Sequence, residues 1–167
     1  MATYQRNIVW LDEISLWKDV VNKSPNKPKG YVQLGLGYYS KGFIEEAIIN
    51  YHSAINLKPE LTSDLLGAYI NLGNAYLDKG LTAEAEASYL KAIELNPSQE
   101  NAYSDIAQAR AYNNIGNIYQ DRGLIDKSIE YYQIALKLNP YSAEIYNNLG
   151  NAYFSKVMYD QAIKSYQ

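Results

Sequence analysis

The sequence predicts an all-α chain built from repeated helical hairpins, and three observations carry that prediction. A pattern of apolar and small residues recurs four times along the 167 residues, which is the signature of a repeat architecture. Within each copy the apolar residues fall at i, i+3, i+4 and i+7, the spacing of one helical face. A glycine and later a proline follow at matching distances in the first three copies, where they end one helix and then its partner.

Residues 1–27 read as a half repeat. Trp17, Val20 and Pro25 stand 34 residues before Tyr51, Ala54 and Pro59. Trp10, Ile14, Trp17 and Val21 form an apolar stripe suited to a helix, from about Asp12 to Lys23, that caps one end of a stack. The first full repeat, 28–61, carries Tyr31-Val-Gln-Leu-Gly-Leu-Gly-Tyr38, then Gly42, Ala47, Tyr51, Ala54 and Pro59. The second, 62–99, carries Tyr69-Ile-Asn-Leu-Gly-Asn-Ala-Tyr76, then Gly80, Ala85, Tyr89, Ala92 and Pro97. The third, 100–142, carries Tyr112-Asn-Asn-Ile-Gly-Asn-Ile-Tyr119, then Gly123, Ser128, Tyr132, Ala135 and Pro140. The fourth, 143–167, has Tyr146-Asn-Asn-Leu-Gly-Asn-Ala-Tyr153 and stops at Gln167, just past Tyr166.

Each mark has a physical reason. Gly73 sits mid-helix at a cost of about 1 kcal/mol against alanine, so a partner helix is expected close against it. Gly80 reads as a left-handed helix stop. One hairpin buries little surface alone, and stacking supplies the continuous core. The chain is therefore expected to be a fragment of a longer array. Tyr153, Phe154, Tyr159, Ile163 and Tyr166 are expected to be incompletely covered, with end-to-end self-association as the outcome.

Spacing between repeats is uneven. Gly35 to Gly73 is 38 residues, Gly73 to Gly116 is 43 and Gly116 to Gly150 is 34. The additions of four and nine precede the first helices of repeats two and three. Leu61, Leu65 and Leu66, and Ala102, Tyr103, Ile106 and Ala107, favour helical extensions over loops. The longer extension places Tyr103, Ile106 and Arg110 on the side away from the core, as an apolar lip.

Composition excludes several classes of function. Fifteen Lys and Arg against eighteen Asp and Glu give a net charge of −3, the wrong balance for a nucleic-acid backbone binder. Without cysteine there is no thiol nucleophile and no cysteine zinc site. A single histidine, His52, excludes two-histidine metal motifs and reads as a solvated surface residue. No apolar run is long enough to span a membrane. Gly35, Gly37 and Gly42 imitate a nucleotide loop, but no strand precedes them. The expectation is a non-enzymatic chain without cofactor or metal, with eighteen tyrosines serving mainly as core.

Asparagine carries the functional signal. Eight of sixteen asparagines lie in three first helices: Asn71, Asn74, Asn113, Asn114, Asn117, Asn147, Asn148 and Asn151. At about 100° per residue, Asn74, Asn117 and Asn151 fall near 140° from the buried tyrosine, and Asn71, Asn114 and Asn148 near 200°. Arg110 and Gln120 join that side. Asparagine is a mediocre helix former but offers a donor and an acceptor on a short stem, which suits the backbone of an extended peptide. A plain helix surface with hydrogen bonds between repeats is the competing account. On the peptide reading, changing Asn117 and Asn151 to alanine is expected to leave folding intact.

The order of these marks resembles the tetratricopeptide repeat, a helix–turn–helix unit of 34 residues. That resemblance implies a right-handed α-solenoid whose first helices line a concave groove for partner segments. An asparagine ladder of this kind is similar to that in the arrays of O-linked N-acetylglucosamine transferases, which implies Asn71, Asn114 and Asn148 as the ladder with Asn74, Asn117 and Asn151 alongside. Gln33 and Leu36 depart from it in the first repeat. Val32 and Ile70 stand where chaperone-binding relatives carry a lysine clamp. A second resemblance covers the start. Tyr4-Gln-Arg6-Asn7-Ile-Val-Trp10-Leu-Asp12-Glu13-Ile-Ser-Leu16-Trp17, with Lys23-Ser-Pro25-Asn26-Lys27, is similar to the stretch before the repeats in membrane glycosyltransferases of the O-mannosyltransferase type. It implies a soluble tail, cytoplasmic or periplasmic, tethered by an upstream membrane region. The expected partner is a protein or peptide in the groove.

Overall fold

A computed structural model of the chain describes residues 13–57, 63–95 and 102–167. The expectations placed on Tyr4, Trp10, Pro59, Leu61 and Pro97 lie outside them, as does the side chain of Tyr103. Among the described residues the structure is all-α. Its helices are α1 Glu13–Lys23, α2 Pro28–Ser40, α3 Ile44–Asn56, α4 Ser63–Asp78, α5 Thr82–Glu94, α6 Ala102–Asp121, α7 Ile125–Leu138, α8 Ala143–Ser155 and α9 Tyr159–Tyr166. Two compact units, Met1–Ser88 and Tyr89–Gln167, divide inside α5.

In the first unit α1 packs on α2, α2 on α3 and α3 on α4, while α2 also touches α4. In the second, α6 packs on α7, α7 on α8 and α8 on α9, and α6 touches α8. Contact between successive first helices is what makes neighbouring hairpins one stack.

Each first helix ends by the same device. Gly42, Gly80 and Gly123 have φ of +81°, +73° and +73°, a left-handed conformation that costs glycine nothing. The N–H of Gly42 bonds the Tyr39 carbonyl at 3.0 Å, and that of Phe43 bonds the Tyr38 carbonyl at 3.0 Å. Leu81 to Tyr76 and Leu124 to Tyr119, both 2.9 Å, repeat the six-to-one bond. This is the Schellman stop, and it sends the chain back along the helix it has left.

Packing then rests on a glycine and a tyrosine. A Cβ on Gly35 would lie 2.5 Å from Cε1 of Tyr51, and one on Gly116 would lie 2.5 Å from Cε1 of Tyr132. Gly150 meets Tyr166 in the same way. The ring lies on bare backbone, and Tyr51 and Tyr132 are among the largest fully buried side chains. Around Tyr51 gather Ala47, Leu72 and Ala75; around Tyr132 gather Ala109, Ala135, Ile145, Leu149 and Ala152. Burying each such ring contributes about 2–3 kcal/mol. The helix α1 completes the first unit through buried Ile14, which lies against Gly37.

The first helices differ in length. α4 has 16 residues and α6 has 20 without a break, against 13 in α2 and α8. Leu65, Leu66, Ile106 and Ala107 are therefore helical. Leu66 is buried, whereas Ile106 and Arg110 are exposed.

Val157 is the exception to the stop. Its φ is +62°, and it holds the place that glycine holds in the other three stops. Met158 N–H still bonds the Tyr153 carbonyl at 3.0 Å. A left-handed conformation costs a side-chain-bearing residue about 1–2 kcal/mol, and branching at Cβ worsens it. Val157→Gly is expected to raise the thermal midpoint despite the extra freedom of glycine in the unfolded chain, a net gain of about 1 kcal/mol. An unchanged or lower midpoint in thermal unfolding would contradict the strain.

Candidate functional site

The tyrosine that lies on each glycine sends its hydroxyl past the backbone toward the face carrying the asparagines. The Tyr132 hydroxyl donates to Asn117 Oδ1 at 2.7 Å, with Gln120 Oε1 at 3.0 Å beside it. The Tyr166 hydroxyl donates to Asn151 Oδ1 at 2.7 Å. In the first repeat Leu36 stands at the corresponding position, one residue after Gly35, and the buried Tyr51 hydroxyl has no partner. Burial, with Tyr39 close by, pushes the Tyr51 pKa up. Burial and the Asp121 charge do the same for Tyr132. Both hydroxyls therefore stay protonated as donors.

A second set of amides ties the first helices together. Asn113, 2 % exposed, donates through Nδ2 to Glu144 Oε1 at 2.9 Å and accepts from Asn148 Nδ2 at 3.0 Å. It therefore lies in the seam between α6 and α8 and not on an open face. Asn71, Asn74, Asn114, Asn117, Gln120 and Asn148 are half-buried, while Arg110, Asn147 and Asn151 are exposed. In the second unit the structure brings Arg110, Asn117, Gln120, Asn147 and Asn151 to the outward first-helix face. The expectation that Asn117 can become alanine without consequence needs correcting. Its oxygen is the nearest acceptor of a buried hydroxyl, and losing such a bond costs about 0.5–1.5 kcal/mol.

Polar links between neighbouring hairpins also repeat. Lys79 pairs with Glu45 at 2.8 Å, and Lys156 pairs with Asp126; both lysines follow a first helix and both acids open a second. The Lys79 bond holds the Glu45 carboxyl below its usual range. His52 Nε2 meets the Tyr76 hydroxyl at 2.9 Å, and Gln133 Nε2 donates to the Tyr153 hydroxyl at 3.0 Å from the corresponding position. An amide substitutes for the imidazole, so the contact needs a polar side chain and no proton chemistry. Tyr39, pushed up to about 12 by burial first and then by its bond to Asp78, is a further such link.

Comparison with known proteins agrees with this geometry. The tetratricopeptide repeat matches residues 67–99, and a further tetratricopeptide match covers 116–157. A crystal structure of MamA is similar at 29% identity over 92% of this chain and 82% of its own, with a TM-score of 0.72. At lower identity the fold alone is shared. MamA of Desulfovibrio magneticus RS-1 stands at 20% over 92% of this chain and 79% of its own, TM-score 0.70. BtubC from P. vanneervenii stands at 19% over 83% of this chain and 59% of its own, TM-score 0.72. No curated protein matches the chain in sequence. The repeats and these neighbours support an all-α tetratricopeptide array and a protein-interaction or scaffold module. The likeness of residues 4–27 to membrane glycosyltransferases falls in good part on residues outside the described ones. No described helix is long and apolar enough to cross a membrane.

The hydroxyl bookkeeping predicts opposite outcomes for one substitution at two equivalent sites. Tyr132→Phe removes a made bond and is expected to destabilise by about 0.5–1.5 kcal/mol. Tyr51→Phe removes an unpaired buried hydroxyl and is expected to be neutral or stabilising. Urea unfolding of both variants beside the parent checks the difference; equal losses would refute it.

Proposed function

We propose that the chain is a non-enzymatic protein-interaction module that binds an extended peptide along the first-helix face of its second unit. The observation that carries this is the outward row on α6 and α8. Arg110 and Asn147 are exposed there, and Asn117 and Asn151 turn the same way. Lysine, glutamate or glutamine would cover a solvent face with better helix formers, and amides pair with peptide groups. The tetratricopeptide likeness supports the same face as the groove. Micromolar affinity, on the order of −8 kcal/mol, is the expected strength for a few hydrogen bonds offset by ordering of the peptide.

The test uses Arg110→Ala with Asn147→Ala, two exposed positions away from the core, and a peptide selected against the parent chain from a displayed random library. Calorimetric titration is expected to show about tenfold or greater weakening with an unchanged thermal midpoint. Equal affinity for parent and variant would move the binding site elsewhere.

A second reading, self-association, has its own observation. Tyr159, Ile163 and Tyr166 form an exposed stripe on α9, with exposed Phe154 beside it. The corresponding stripe on α7, Ile125, Ile129 and Tyr132, packs against Ile145, Leu149 and Ala152 of α8. A second copy of the chain would cover α9 in the same manner. Sedimentation at high concentration is expected to show association that Ile163→Glu removes; a monomeric parent chain would end this reading.

A further inference from the structure

The tyrosine hydroxyls fix which end of each amide faces outward. Asn117, Gln120 and Asn151 all turn their oxygens to a hydroxyl, Asn117 and Asn151 at 2.7 Å and Gln120 at 3.0 Å. Their NH2 groups are then left for a ligand. Arg110, exposed on the same face, has only donors. The side chains that could bind a peptide here thus present hydrogen-bond donors, and their acceptors are already taken.

We infer that this face recognises the carbonyl oxygens of an extended segment without needing its N–H groups, and that its ligand class is a proline-rich segment in the polyproline II conformation. The inference rests on the peptide reading above and narrows it. Proline removes the backbone donor and leaves the carbonyl, so it loses nothing against a surface made of donors. Spacing points the same way. α6 and α8 pack directly, joined by the 3.0 Å bond from Asn148 to Asn113, and packed helices lie about 8–10 Å apart. Polyproline II repeats every three residues at a rise of about 3.1 Å each, so like-facing carbonyls recur at about 9 Å and meet Asn117 and Asn151 in turn. A pleated strand returns to the same face every two residues, at about 6.6–6.8 Å, and falls out of step. Tyr132 and Tyr166 act here as positioning residues, because they hold the amides in the donating orientation.

The deciding variant is Asn117→Asp with Asn151→Asp. Aspartate keeps an oxygen for each tyrosine hydroxyl and removes the outward donor. Fluorescence anisotropy with a labelled oligoproline peptide is expected to show binding to the parent chain and about tenfold or greater weakening in the variant, with the thermal midpoint unchanged. Should the double variant fold poorly, Asn151→Asp alone carries the comparison, because Tyr166 is 49 % exposed and its pair bears little of the core. Tyr132→Phe frees Asn117 to rotate and is expected to weaken oligoproline binding without touching the ligand. Oligoproline binding equally to parent and aspartate variant overturns the inference. Failure of oligoproline to bind, while a library-selected peptide binds, overturns it and leaves the peptide reading standing. Failure of both removes both.

Discussion

A tyrosine ring resting on a glycine backbone is the contact on which each hairpin depends. It sets how near two helices come, since no side chain intervenes at Gly35, Gly116 or Gly150. It fills the space with the largest buried group in its repeat. It also aims a hydroxyl past the glycine, to a position one residue further along the helix. What stands there decides the local outcome: an asparagine satisfies the hydroxyl at 117 and 151, and a leucine leaves it alone at 36. Packing and surface chemistry are thus set by one geometry. The asparagines are therefore neither plain surface nor plain binding residues, because one end of the amide belongs to the core and the other to solvent.

Links between successive hairpins follow the same economy. Lysine to acid, and a polar side chain to a tyrosine hydroxyl, recur at corresponding places in both units. Exposed ion pairs contribute little each. Their value is in register, since a hairpin shifted by one turn would lose each of them together. The sole histidine belongs to this set, which explains its place without any catalytic role.

Much of the fold could be read in the sequence because its determinants are local. Apolar spacing placed the helices, and glycines 42, 80 and 123 placed the turns, since only the left-handed region permits that stop at no cost. The helical wheel also put Asn117 and Asn151 on the outward side correctly. It could not show that Asn113, only about 40° away from Asn117 at 100° per residue, lies in a seam, because the width of the neighbouring helix is not a property of the helix itself. Nor could it show the hydroxyl bonds, which require the ring to be seated on glycine first. Val157 gave no signal, since a valine after a helix is unremarkable until its φ is known.

The pattern of helix contacts also bears on how the chain folds. Every described packing partner is the next helix in the chain or the one after it. Such a topology has low contact order, and each step closes only a short loop before burial compensates for the lost entropy. Folding is then a zippering process that starts at any well-formed hairpin and lengthens by accretion, within the microsecond-to-millisecond range of helical proteins. On a ribosome the earliest hairpins need not wait for the last residues, and the long-range pairing that makes β-rich chains slow to fold never arises.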